Sequence, residues 1–286
     1  HASDEVRIRY ASKYDTTANY WKYFIGQNKG IKRLNVIERK QVMEDDFETW
    51  VNNDNIPKFG YYKTALIKTK NSMEKLSLLK RTQTYISEAF FRGTDAIAMA
   101  GRFRPLMAEL AKEKPNLSKV EELVKPLKGQ SEKYFSMIDY KTELQLFRAM
   151  LEMYAADVPK QYHPAFYSTL ENKFKNDYLV YCDYVFQMSI FSNKDKMDAF
   201  LKAPTKEVLQ GDPLFEIAVQ IYDVYNALVA EINPLNYQLS QGMRLYVQGL
   251  REMHPDKVFY PDANSTMRLT YGKVLPYSKA DAVDYN

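Results

Sequence analysis

The side chains that most often perform catalysis are few in this sequence and form no recognisable set. Its histidines are His1, His163 and His254, and the last two each precede a proline, which is typical of a turn or a helix end. The single cysteine, Cys182, lies in an apolar run, where a buried, unreactive thiol is expected and no intramolecular disulfide can form. No metalloprotease, thiol-redox, nucleophile-elbow or nucleotide-binding motif occurs. We therefore expect no catalytic residue, no metal site and no cofactor here.

The strongest candidate for a binding role is Asn19, which falls within a long helix predicted over residues 3–34. Ser3 is a suitable N-cap, and apolar residues then recur at helical spacing, which predicts one packed face. Asn19 lies roughly 140° from that face, beside Tyr23, so we expect both side chains to be free for a ligand. A plain solvated surface is the alternative for both residues. The predicted packed face consists of Tyr10, Tyr14, Ala18, Trp21 and Ile25.

The rest of the chain is predicted to be mainly helical. Glycine is scarce at 10 residues, and apolar residues recur at helical spacing through most of the sequence. Asp212 followed by Pro213 marks a helix start, and a heptad-like seam runs from there to residue 232. We expect a turn at residues 233–234 and a return helix over 235–253. The fold class is therefore a multi-helix, antiparallel bundle-like domain over residues 1–254.

The C-terminal part, residues 255–286, has a different pattern. Residues 265–271 alternate polar and apolar side chains, which predicts a half-buried strand after a loop. A single strand cannot satisfy its own backbone, so we expect it to pair with β-structure outside this sequence or with another chain. Together with a start that is neither a methionine nor a signal peptide, this indicates a fragment of a longer protein.

Charge and hydropathy exclude two classes of partner. The sequence has 40 basic and 36 acidic residues, interspersed along the predicted helices, so a nucleic-acid surface is not expected. No run approaches the roughly 18 apolar residues of a membrane span.

Several motifs resemble a known family. VRIRYASKY at residues 6–14, ANYWK at 18–22 and IGQNKGIKRL at 25–34 look like the helical domain of the bacterial serine dipeptidyl-peptidases of serine family forty-six, which includes the types numbered seven and eleven. FYPDANSTMRLTYGKV at 259–274 resembles the segment that returns to the β-barrels of those proteins, and EAFFRG at 88–93 fits more loosely. The resemblance extends in order along the chain.

The resemblance implies a double β-barrel with a Ser-His-Asp triad, missing here, over which the helical domain forms a cap. The family's cap supplies an asparagine that helps to hold the N-terminal amine of the peptide substrate, and Asn19 is the matching position. Tyr23, one turn later, is the second candidate. Ser265 lacks the setting of the family's nucleophile, so we expect the isolated chain to have no peptidase activity.

The family's setting further implies a protein exported to the periplasm or cell surface of a Gram-negative bacterium, with a homodimer as a candidate assembly. The resemblance leaves open whether the enzyme prefers an acidic or a hydrophobic residue at the second position of the substrate. The roles of His163, His254 and residues 262–274 also stay open.

The alternative function is a non-catalytic helical scaffold that binds a peptide or a protein in its grooves. The absence of a fixed sequence repeat and the unpaired predicted strand both count against this alternative.

Overall fold

A computed structural model describes residues 3–52, 59–260, 267, 269–280 and 283–285, and most of these residues are helical. The prediction of a mainly helical chain is confirmed. The α-helices are α1 (Asp4–Arg33), α2 (Val36–Val51), α3 (Phe59–Tyr85), α4 (Asp95–Gly101), α5 (Arg104–Leu110), α6 (Leu117–Met137), α7 (Tyr140–Asp157), α8 (Phe166–Phe174), α9 (Tyr178–Met188), α10 (Lys194–Lys202), α11 (Lys206–Gln210) and α12 (Pro213–Met253). A π-helix (Ile86–Arg92), two 3-10 turns (Lys160–Tyr162 and Ile190–Ser192) and strands β1 (Tyr277–Ala280) and β2 (Val283–Tyr285) complete the regular structure of the described residues.

Two of the predicted helix starts are fixed by side-chain caps. The Ser3 hydroxyl accepts a hydrogen bond from the Val6 amide at 3.2 Å. The Asp212 carboxylate accepts one from the Phe215 amide at 2.9 Å, and Pro213 occupies the first turn of α12. Each cap satisfies an amide that has no partner within its own helix, so both predicted starts are confirmed.

The two long helices α3 and α12 run antiparallel in close contact. Gly242 of α12 faces Ala65 and Thr69, whereas Gly249, further along α12, faces the earlier residue Tyr62. A Cβ atom added at Gly242 would lie 2.9 Å from the carbonyl oxygen of Ala65. The absence of side chains at these glycines therefore allows the two helices to approach closely.

Helix α12 is continuous, so the predicted turn at residues 233–234 and the packing of two shorter helices on each other are wrong. Pro234 lies inside the helix. A proline there removes one backbone hydrogen bond and costs about 3 kcal/mol. Ile232 before it, and Gly242 and Tyr246 after it, are all buried, so the helix packs on both sides of the proline. We infer that this packing offsets the cost.

The buried side chains form two clusters. The larger one is formed by the helices from α3 to α12 together with the π-helix, and it contains Phe90, Phe103, Phe147 and Phe191. The smaller one joins the end of α2 to the start of α3 and the end of α12. It consists of Phe47, Val51, Tyr62, Ala65, Tyr246 and Leu250.

Helix α1 buries no side chain completely, and its predicted packed face is only partly confirmed, because Tyr10, Ala18 and Ile25 are half-buried. Tyr14 is 73% exposed and Trp21 is 65% exposed. The helix does not need burial in order to form, because it is 30 residues long, carries an N-cap and has favourable charges at both ends. An ion pair between Glu5 and Arg9, one turn apart, adds to its local stability.

The C-terminal strands lie later in the chain than predicted. Met267 and residues 269–271 are not in a strand, and the other residues of the predicted strand lie outside the described part of the chain. Strand β1 instead pairs with β2 in an antiparallel register that joins Tyr277 to Tyr285. Strands β1 and β2 were not predicted and pair with each other, whereas the expected pairing of residues 265–271 with β-structure outside this sequence stays a prediction. The membership of the C-terminal segment in a missing β-barrel also stays a prediction.

None of the described helices combines the length and the apolar character that crossing a membrane requires.

Candidate functional site

Asn19 and Tyr23, the two residues predicted to bind a ligand, are both exposed on α1. Together with Thr16 and Tyr20 they line a shallow groove of about 380 Å³. These four positions share one face because they are spaced by three, four and seven residues along the helix. Among the described residues, none forms a hydrogen bond to the Asn19 side chain. Its amide oxygen is therefore available to a ligand.

The groove suits a small cationic group. The amide oxygen of Asn19 and the hydroxyl group of Thr16 are neutral acceptors, and the rings of Tyr20 and Tyr23 supply the aromatic faces that attract an ammonium ion. The Tyr23 ring lies edge-on to Phe24 with 5.5 Å between ring centroids. Because the lining includes no carboxylate, such a group would be held by hydrogen bonds and ring contacts, with no ion pair.

Helix α1 is attached to the body of the molecule by polar contacts in its first half. The Arg9 guanidinium donates a hydrogen bond to the carbonyl oxygen of Ile138 at 2.8 Å, at the end of α6. The Tyr10 hydroxyl accepts a hydrogen bond from the Asp139 amide at 3.3 Å, at the start of α7. Burial raises the pKa of Tyr10 to about 12, so this hydroxyl is neutral. Both contacts bind α1 to the junction of α6 and α7.

A third contact joins α1 to the start of α4. The Lys13 ammonium lies 3.0 Å from a carboxylate oxygen of Asp95, the first residue of that helix. The Glu143 side chain is fully buried, and one of its oxygens accepts a hydrogen bond at 2.8 Å from the amide of Ala96, the residue after Asp95. The other oxygen has no hydrogen-bond partner among the described residues. Burial is the main cause that raises the pKa of Glu143 from 4.5 to about 7, and the negative charge of Asp95 contributes.

A larger cleft lies on another side of α1. Its volume is about 1170 Å³, and it is bounded by α1, the π-helix and α7. Leu146 and Met150 contribute apolar surface, and the ion pair between Glu88 and Arg92, at 2.8 Å, lies along it. Tyr14, which lines this cleft, is five residues before Asn19 and therefore about 140° away around the helix. The cleft and the Asn19 groove share no lining residue, although Asp15 of the cleft lies one turn before Asn19.

The residues considered first for catalysis have structural surroundings. The His163 ring nitrogen lies 2.8 Å from the carbonyl oxygen of Val158, and the ring packs against Tyr154 and Tyr167. Cys182 is buried, and burial raises the pKa of its thiol to about 12, so it is a neutral thiol as predicted.

Two further residues, His254 and Ser265, were considered in the sequence. His254 is exposed at the end of α12, and Ser265 lies outside the described residues. Within the described ranges, no group of three histidine, cysteine, aspartate or glutamate side chains is placed to hold a metal ion.

The polar contacts at the base of α1 were missed by sequence reasoning. Lys13 and Asp95 are 82 residues apart, and no local pattern relates them. Glu143 carried a usable signal, because it precedes Phe147 and Leu151 at steps of four on the buried face of α7. A carboxylate in line with apolar residues indicates a buried acid.

Comparison with known proteins gives consistent matches along the whole chain. The sequence model of the family described as Peptidase S46 matches residues 1–286. Dipeptidyl-peptidase 7 of Porphyromonas gingivalis is 33% identical over 290 residues, which cover 100% of this chain and 39% of that protein. The Asp/Glu-specific dipeptidyl-peptidase of the same species is 31% identical over 287 residues, which cover 99% of this chain and 39% of that protein. The chain thus spans about two fifths of the length of these relatives.

A solved structure shares the fold. Porphyromonas endodontalis DPP11 in complex with the dipeptide Arg-Glu has a TM-score of 0.78 and 24% identity, over 99% of this chain and 40% of that chain. The structure of the same protein described without a dipeptide has a TM-score of 0.75. The chain therefore has the fold of one helical region within a larger protein.

Proposed function

This chain belongs to the peptidase S46 family, and we propose that it is the helical part of a serine dipeptidyl-peptidase that holds the N-terminal amine of a peptide substrate. Catalysis would be supplied by the rest of the longer protein, as a double β-barrel with a Ser-His-Asp triad. The relatives named as dipeptidyl-peptidases, which are more than twice as long as this chain, support that division of roles.

The observation that carries the proposal is the exposed groove around Asn19. An exopeptidase must recognise the charged amine at the start of its substrate, and an amide oxygen accepts a hydrogen bond from an ammonium group. Tyr23 and Tyr20 would enclose the amine with their rings. Closure of the catalytic part over this face would leave room for two residues before the scissile bond and would position them for attack.

The preference for the second substrate residue is proposed to lie outside this chain. The sequence of this chain is 33% identical to a dipeptidyl-peptidase 7 and 31% identical to an Asp/Glu-specific dipeptidyl-peptidase, which is nearly the same. The helical part would then recognise the amine common to all substrates. We also propose that the longer protein is exported to the periplasm or the cell surface.

Substitution of Asn19 in the full-length protein tests the proposal. A hydrogen bond to a charged group contributes about 1.5–3 kcal/mol, so Asn19→Ala should lower kcat/KM for a fluorogenic dipeptidyl substrate about 10- to 100-fold, chiefly through KM. Asn28→Ala is the matched control, because Asn28 is an exposed asparagine on the same helix, outside the groove. Equal kcat/KM values for the two variants would contradict the role proposed for Asn19, whereas no hydrolysis of dipeptidyl substrates by the full-length protein would favour a non-catalytic scaffold.

A further inference from the structure

The position of α1 depends on polar contacts to an unusual degree. None of its 30 residues is buried, whereas α2 buries Phe47 and Val51 in the smaller cluster. Apolar packing fixes a helix through many weak contacts, but α1 has few of these. Its register against the body must therefore come mainly from the hydrogen bonds and the ion pair of its first half, and from its connection to α2.

The ion pair between Lys13 and Asp95 is the contact of this set closest to Asn19 along the chain. Asp95 is held in place as the first residue of α4, whose second residue, Ala96, donates its amide to the buried Glu143. The acceptor of the Lys13 ammonium thus belongs to a fixed part of the core. The Lys13 and Asp95 side chains are 29% and 45% exposed, so the pair contributes little to global stability. Its main effect is on where α1 lies.

A shift of α1 at Lys13 would be transmitted to Asn19. The two residues are six positions apart on one uninterrupted helix, which is about 9 Å along the axis. A helix moves as a stiff rod over that distance, and a displacement of about 1 Å at a substrate-positioning group is enough to weaken its action.

We infer that Lys13 and Asp95 are positioning residues for amine recognition: their ion pair holds α1 so that Asn19 meets the substrate. The inference rests on the function proposed above and adds two residues that never touch the substrate. It separates a mechanical role at Lys13 from the binding role at Asn19.

A double-mutant cycle in the full-length protein tests the inference. Lys13→Met should raise KM for a dipeptidyl substrate about three- to tenfold, with kcat within about twofold. Lys13→Arg keeps the charge and should restore most of the lost affinity. Lys29→Met is the matched control, since Lys29 is an exposed lysine on α1 for which no ion pair is seen among the described residues. In an Asn19→Ala background, Lys13→Met should have little further effect, because the group that it positions is gone.

Each outcome of the cycle decides one claim. If Asn19→Ala lowers kcat/KM but Lys13→Met matches Lys29→Met, the positioning role is overturned and the proposed function stands. If the effects of Lys13→Met and Asn19→Ala simply multiply, Lys13 acts independently of Asn19 and the inference also fails. If Asn19→Ala has no effect, the proposed function itself fails. Should Lys13→Met not fold, Asp95→Asn removes the same ion pair from the other side and is held to the same criteria.

Discussion

Glu143 shows how a single buried carboxyl group makes the stability of the chain depend on pH. Its neighbours from the surrounding elements are Lys13 and Tyr10 of α1, Asp95 of α4 and Tyr134 of α6. Lys13 is the one cation among them, and it is paired with Asp95. Because the buried group has little solvation, its pKa is raised from 4.5 to about 7. Between pH 4.5 and about 7, the Glu143 carboxyl group therefore keeps its proton in the folded chain and loses it in the unfolded chain.

The stability of the chain should fall as pH rises through this window. The contribution of Glu143 is complete below pH 4.5 and is lost as pH rises through about 7, since the folded state then binds more protons than the unfolded state. In Glu143→Gln this dependence is absent. The stability of the wild type relative to this variant should therefore decline with pH, by at most about 3 kcal/mol. Urea denaturation between pH 4.5 and 7.5 measures the difference.

The control for this prediction is Glu121→Gln, which replaces an exposed glutamate on α6. Its stability relative to the wild type should hardly change across the same pH range. A constant difference between the wild type and Glu143→Gln would show that the buried carboxyl group does not titrate in this window.

Residue-level reasoning from the sequence succeeded where local geometry was sufficient. The helical period placed Asn19 and Tyr23 together on a free face, and both are exposed, while their binding role stays a prediction. The same reasoning failed for Lys13, whose partner Asp95 lies on a distant segment, at the start of α4. A contact between distant segments has no local signal.

At the scale of the elements, the π-helix that borders the larger cleft depends on a glycine at its end. Gly93 follows the π-helix, and a Cβ atom there would lie 2.3 Å from the carbonyl oxygen of Ala89 and 2.8 Å from that of Glu88. Both obstacles are backbone atoms, which cannot move without opening the turn. The wider turns of the π-helix are thus compatible only with a residue that has no side chain at this position.

Gly93→Ala should consequently destabilise the chain by about 1–3 kcal/mol, in proportion to the backbone shift that it forces. The contrasting variant is Gly129→Ala, because Gly129 lies inside α6 with nothing within 4 Å of an added Cβ. That change should stabilise the chain by about 0.5–1 kcal/mol, since alanine favours the helix. Thermal or urea unfolding compares the two variants. Effects of the same sign and size would refute the role assigned to Gly93.

Helix boundaries followed the sequence where a cap was present and departed from it where packing decided. Ser3 and Asp212 begin their helices as predicted, because each side chain bonds an amide three residues later. Pro234 was predicted to end a helix, but α12 continues through it because its buried face continues on both sides. The neighbour that makes this favourable, α3, lies far away in sequence. A local rule could not have included it.

At the scale of the whole molecule, composition and period predicted the fold class but not the arrangement. Few glycines and helical spacing were enough to indicate a mainly helical chain. The exposure of α1 was not foreseen, since its apolar residues were expected to pack and Trp21 is 65% exposed. The chain spans about two fifths of its relatives' length.

A crystal structure of the full-length protein with a bound dipeptide would show whether Asn19 holds the free amine of the substrate. We expect the Asn19 side-chain oxygen to lie about 3 Å from the terminal nitrogen of the dipeptide, with Tyr20 or Tyr23 beside it. A dipeptide whose amine is held entirely by other groups, with Asn19 still facing solvent, would overturn the proposed role of Asn19.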